Sequence, residues 1–194
     1  MSNGNSSPPQ GATLPTEIYC SLAGPVDQAM VQRVFNSMAI AINGGVKTIH
    51  MLLQSGGGGV AEGVGLHNYF KSLPLDLHFY NGGTISSIAV IVFLGAGQRY
   101  ASANATFMIH KTHSPAGMPS TQAARLHGLA NSYEIEDRRT RSILETGIPG
   151  LSQSQFDHHL DTELPFDANE ALGCGLITGI QDFRVPPGHM LSNI

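Results

Sequence analysis

Three times between residues 17 and 97 a strand-forming run breaks at a turn and a helical pattern takes over. "EIYCSLAG" (17–24) is followed by Pro25, Val26 and Asp27, then by a helix whose apolar positions Met30, Val31, Val34, Phe35, Met38 and Ile42 recur at helical spacing. "VKTIHMLLQS" (46–55) runs into four consecutive glycines, Gly56 to Gly59, and a second helix carrying Val60, Val64, His67, Asn68 and Phe70. "LDLHFYN" (75–81) leads through Gly82 and Gly83 into a short apolar helix over 87–95. Strands separated by helices are joined in parallel by crossovers, because a tight hairpin is not available to them. The rhythm predicts an α/β fold of repeated strand-turn-helix units around a parallel sheet. Further on, "QRYASANATFMIH" (98–110) has strand character and Pro115 to Ser120 break the pattern. Thr121 to Thr146 read as one long helix ended by Gly147, residues 151–163 as a short helix, and "GLITGI" (175–180) as a closing strand.

The 194 residues suit one domain. Residues 1–16 are rich in Ser, Asn, Gly and Pro and read as a flexible arm; 17–184 form the domain; 185–194 read as a poorly ordered tail. Hydrophobic residues make up 41%, enough for a core, but charged residues only 12%, against about 25% in an ordinary soluble domain. A surface so poor in charge is either neutral and rich in Ser, Asn and Gln or partly covered by neighbouring subunits, and the long helix of sparse apolar positions either projects onto another subunit or bends over the surface. Net charge is -4, and the ten Lys and Arg are scattered apart from Arg138, Arg139 and Arg141. Those three stand among Glu134, Glu136, Asp137 and Glu145, so they read as an ion-paired helix surface and not as a nucleic-acid face. Cys20 and Cys174 have no metal-ligand spacing and read as buried thiols of a reducing compartment. The N-terminus has no apolar signal core, and no apolar run reaches the roughly 18 residues of a membrane span. The expectation is a soluble, cytoplasmic protein with no membrane and no nucleic-acid partner.

A strand that ends at glycines ahead of a helix leaves backbone N–H groups unpaired where the helix dipole is positive. Such a place suits an anion, including the oxyanion of acyl transfer. Gly56 to Gly59 is one such place, and Gly82 with Gly83 the other. The first lacks both the GxGxxG spacing of a dinucleotide site and the Lys-Ser/Thr of a P-loop. Ser86 and Ser87 follow the second, and a serine there is either a helix cap or a nucleophile. His110 ends the next strand region; His113 reads as a loop residue. His158 and His159 are adjacent with no third ligand evident, so no metal site is expected.

The ordered set "QSGGGGVAEG" (54–63), "GTISSIA" (83–89), "RYASANATFMIHK" (99–111) and "DANEALGCGLI" (167–177) resembles the proteolytic subunit of the Clp protease, a serine peptidase family. The resemblance runs from about Ile18 to Ile180 and implies the ClpP/crotonase-like fold with a projecting long helix. It implies Ser87 as nucleophile, His110 as base and the amides of Gly57 and Ile88 as oxyanion donors. Counting back from Asp167 puts Glu163 at the family's aspartate; Asp161 and Asp157 are the alternative third members. The family's acid-arginine oligomerisation contact falls on Asp161 and Thr162, so its arginine is absent. The N-terminal arm is polar where the family has an apolar-rich axial segment. By resemblance the chain is a serine endopeptidase without cofactor, acting on unfolded polypeptides or peptides. Heptameric rings would stack as a tetradecamer, with an AAA+ unfoldase as a possible partner. The alternatives are a non-catalytic ring subunit and a crotonase-like acyl-CoA enzyme.

Overall fold

The computed structural model describes residues 15–112 and 123–194. The expected arm up to residue 14, His113 and the break at 115–120 lie outside the described residues. The elements are β1 (Glu17–Ala23), α1 (Gln28–Asn43), β2 (Thr48–Ser55), α2 (Val60–Ser72), β3 (Asp76–Ser86), α3 (Ile88–Phe93), β4 (Gln98–Ala101), β5 (Thr106–Met108), α4 (Ala123–Gly147), α5 (Gln153–Thr162), α6 (Ala168–Gly173), β6 (Gly179–Ile180) and β7 (Leu191–Asn193). The sheet order is β6-β4-β3-β2-β1-β7, with β5 paired to β3 as well. The strand pairs are parallel, as the crossover pattern requires.

Alternation decides which side of each strand faces the helices. Cys20 and Leu22 of β1, Ile49, Met51 and Leu53 of β2, and Leu77 and Phe79 of β3 are buried in the core. Helix α1 starts at Asp27, whose carboxylate accepts from the Met30 N–H at 2.8 Å. It buries Met30, Val34, Met38 and Ala41, while Phe35, expected on the apolar face, stays 39% exposed. A ring chain of Phe70, Phe79, Phe93 and Phe107 joins α2, β3, α3 and β5 at centroid spacings of 5.0, 6.4 and 5.3 Å. All six residues of α3 are buried.

Two expectations are corrected and a third is refined. Gly82 and Gly83 are not a strand-end turn, because β3 continues through them to Ser86. Leu53 pairs with Asn81 and Ser55 with Ile85, so β3 spends extra residues there and bulges. A Cβ on Gly82 would come within 2.9 Å of Leu52 Cδ1, so a side chain there would have to push the end of Leu52 aside. The 98–110 stretch, expected to have strand character, divides into two strands. β4 pairs with the first part of β3 (His78 to Asn81) and β5 with its last part (Thr84 to Ser86). The tail is also structured: β7 adds to the free edge of β1, Tyr19 to Ser21 against Leu191 to Asn193, because an unpaired edge offers a row of donors and acceptors. The preceding segment lays Phe183 and His189 against the ring of Tyr19, at 6.1 and 5.2 Å.

Candidate active site

The bulge in β3 builds the site. Asn81 is fully buried just before it. Its side-chain amide donates to the Thr106 carbonyl at 2.9 Å, and its side-chain oxygen accepts from the Gly83 N–H at 2.9 Å. This residue therefore ties the bulge to the first residue of β5. The strand beyond it pairs with β5, and the ladder ends where the Ser87 N–H donates to the Met108 carbonyl at 2.7 Å. Two residues past Met108 stands His110. Adjacent strand ends thus deliver Ser87 and His110 to one place.

His110 Nε2 lies 2.7 Å from Ser87 Oγ, a full hydrogen bond. Ser87 is the N-cap of α3, yet its side chain makes no capping bond. The hydroxyl is turned instead to the imidazole. Its backbone has φ 59° and ψ -136°, a region that L side chains avoid. Gly57 touches this serine so closely that a Cβ on it would lie 2.6 Å from Ser87 Cβ and 3.0 Å from its Oγ. Its own φ of +105° already calls for glycine.

The glycine run is anchored on Val26. The Val26 N–H donates to the Gly57 carbonyl (2.9 Å) and the Gly59 N–H to the Val26 carbonyl (2.8 Å), a parallel bridge centred on Gly58. In such a bridge the central residue's own N–H and C=O turn to the opposite side. The Gly57 N–H, expected to serve an oxyanion, donates to Ser55 Oγ at 3.2 Å. Gly56 and Gly58 line a cavity of about 370 Å³ with Ser87 and His110. Val60, Ile88, Ile91, Ile109 and Leu144 give that cavity an apolar wall. Ile88 opens α3, so its N–H belongs to the first-turn donors that no helical carbonyl reaches.

Three carboxylates were candidates for the far side of the imidazole, and the structure separates them. Glu163 Oε1 stands 3.9 Å from His110 Nδ1, an ion contact longer than a hydrogen bond, and the Glu163 side chain is 61% exposed. Asp161 pairs with Lys111, and Asp157 accepts from Arg141 at 2.9 Å. Glu163 caps α5 in the left-handed conformation, φ 56°. His159 is held by its own packing, stacked on Phe166 at 3.8 Å with Nδ1 3.1 Å from the Leu164 carbonyl oxygen. Among the described residues no group of three or more His, Cys, Asp or Glu could hold a metal ion. No helix among them is long and apolar enough to cross a membrane.

Sequence reasoning missed Asn81, whose signal was a polar residue at an inward strand position directly before two glycines. It took in Gly58 only as a member of the Gly56 to Gly59 run.

A family described as Clp protease matches residues 10–184. The ATP-dependent Clp protease proteolytic subunit 2 of Treponema pallidum is 26% identical over 165 residues, covering 81% of this chain and 76% of the relative. The ATP-dependent Clp protease proteolytic subunit of Paracoccus denitrificans is 28% identical over 159 residues, covering 80% and 77%. Among solved structures, a mutant of ClpP1 from Listeria monocytogenes superposes with a TM-score of 0.72 at 20% identity, covering 87% of this chain and 92% of that one, a likeness of fold. The family match spans every element from β1 to β6, and with them both strand ends that carry Ser87 and His110, so the chain belongs to the Clp protease family.

Proposed function

We propose that the chain is a serine-type peptidase subunit that hydrolyses peptide bonds of unfolded polypeptides or short peptides. The observation that carries this reading is the 2.7 Å approach of His110 Nε2 to Ser87 Oγ at the mouth of a buried helix. Ser87 Oγ attacks the substrate carbonyl while neutral His110 takes its proton at Nε2. The carbonyl oxygen becomes an oxyanion beside the N–H of Ile88. The second donor is the N–H of Gly58, turned away from Val26, since that of Gly57 is engaged by Ser55. His110 then returns the proton to the leaving amine, and water releases the acyl group from Ser87 by the same steps in reverse roles. Glu163 supports the imidazolium charge from the solvent side. These steps use no cofactor.

The relatives' names describe proteolytic subunits, and the long helix supports assembly for this chain too. Of the α4 side chains over 126–147 only Leu144 is buried, and Leu126 and Ile135 are 49% and 41% exposed. Packing α4 between two stacked heptameric rings would cover them and enclose the sites in a chamber. An AAA+ unfoldase would then act as the feeding partner. The second reading, a non-catalytic ring subunit, draws on the exposed and distant Glu163. A fluorophosphonate probe decides between them. Labelling that maps to Ser87, together with peptide hydrolysis abolished in Ser87→Ala at unchanged assembly size, supports the peptidase. Equal cleavage by parent and Ser87→Ala, or no labelling, sinks it.

A further inference from the structure

His67 lies on α2, and its Nδ1 is 3.0 Å from the carbonyl oxygen of Ile91 in α3. A carbonyl cannot donate, so Nδ1 carries the proton. Burial pushes this imidazole's pKa down, helped by Lys71 and Arg99, while the Ile91 carbonyl pulls it up. The bonded carbonyl is the one that the backbone passes over. Leu94 N–H donates to Val90 at 3.0 Å, but Gly95 then donates to Val92 (3.0 Å) and Ala96 to Phe93 (3.3 Å). This tightening from i−4 to i−3 skips Ile91.

The rest of the same α2 face is fitted to α3. A Cβ on Gly63 would run into Ile88 Cγ1, and one on Gly95 would come within 3.0 Å of Phe70 Cβ. Residues 63, 67 and 70 of α2 share one face at helical spacing. They meet α3 at its first residue, at its spare carbonyl and just past its end. A six-residue helix moves as one piece, so a shift at Ile91 is carried to the N-terminal end, where Ser87 and the Ile88 N–H stand.

We propose that His67 is a positioning residue: by donating Nδ1–H to the Ile91 carbonyl it sets where α3 stands along its axis, and so where Ser87 Oγ stands relative to His110. The proposal rests on the reading of Ser87 as nucleophile. His67 touches neither Ser87 nor His110 by any hydrogen bond; it acts through α3.

The test uses the full chain, measuring the rate of fluorophosphonate acylation at Ser87, kcat and KM for a model peptide, and Tm. His67→Phe keeps a planar ring without a donor; His67→Leu is its replacement should the phenylalanine variant not fold. His67→Asn places an amide N–H near the position of Nδ1. The expected result is acylation and kcat reduced by about tenfold or more in the donor-less variant, with KM nearly unchanged and most of the rate recovered by His67→Asn. Acylation at the parent rate in the donor-less variant overturns the role of His67 alone. So does a loss that His67→Asn does not recover. A parent protein that is itself unlabelled at Ser87 overturns the nucleophile reading, and this proposal with it.

Discussion

Ser87 and Glu163 are, among the described residues, the two non-glycine positions with positive φ, 59° and 56°, and His110 stands between them. Backbone strain of this kind costs on the order of 1–3 kcal/mol per residue and persists where something else requires it. At Ser87 the requirement is the bond to His110. At Glu163 it is the turn that ends α5, where glycine would do the same work without strain. Glu163→Gly should therefore leave stability unchanged or raise it by about 1 kcal/mol, while slowing peptide hydrolysis. Glu163→Gln should slow it too, by roughly 10–100-fold. That is less than the about 10⁴-fold seen when a buried triad aspartate becomes asparagine and the imidazole takes the wrong tautomer, because Glu163 stands 3.9 Å from Nδ1, beyond a hydrogen bond, and is 61% exposed. Thermal melts and kcat of the two variants check this. A glycine variant as active as the parent would remove Glu163 from the chemistry.

Gly57 gives the second prediction. A methyl group there would meet Ser87 Cβ at 2.6 Å and impose a side chain on φ +105°. The strain alone costs about 1–2 kcal/mol, which a domain of this size survives. The nucleophile has less tolerance, since a displacement of about 1 Å can cost 10²-fold in rate. Gly57→Ala should fold, with Tm lowered by a few degrees, and should lose at least about 100-fold in acylation by fluorophosphonate. Acylation at the parent rate would show that Ser87 does not depend on this contact.

Glycine before a helix, serine at its mouth and histidine at a strand end are each ambiguous alone, and only their order along the chain, matching the family's, showed itself in the sequence. The bulge at Gly82 did not, because a strand pattern of period two cannot show whether a glycine pair ends a strand or bends it. Only the partner strands decide that: β4 takes one part of β3 and β5 the other. The resemblance points to Glu163 as the carboxylate facing His110, but no local signal sets it apart from its neighbours. Asp157, Asp161 and Glu163 are close in sequence, and what separates them is that Arg141 and Lys111, from α4 and the end of the β5 segment, hold the first two. No local pattern marks β7, because it follows a stretch with two prolines and a glycine and its partner on β1 is more than a hundred residues away.

His50 makes the fold sensitive to acid. It lies on β2, with Nε2 2.9 Å from Glu17 and Nδ1 2.9 Å from the Tyr80 hydroxyl. Tyr19 stacks on it at 4.7 Å from β1, and His78 lies 4.6 Å away on β3. Burial pushes its pKa down, and the neighbouring His78 adds to that, while Glu17 and Asp76 pull the other way by less. The folded protein therefore binds a proton at His50 less readily than the unfolded chain does. The stabilisation from keeping this ring neutral is complete above the unfolded value of about 6.5. It is lost as pH falls through that value toward the lowered folded one. His67 carries a shift of the same sign, again from burial. Stability should thus decline as pH drops from about 7 toward 5, and a non-titrating His50→Gln variant should show a shallower decline over that range. Chemical denaturation at a series of pH values measures the slope. A parent and variant with equal slopes would mean that His50 takes up its proton as easily in the fold as outside it, and that Glu17 outweighs burial at this position.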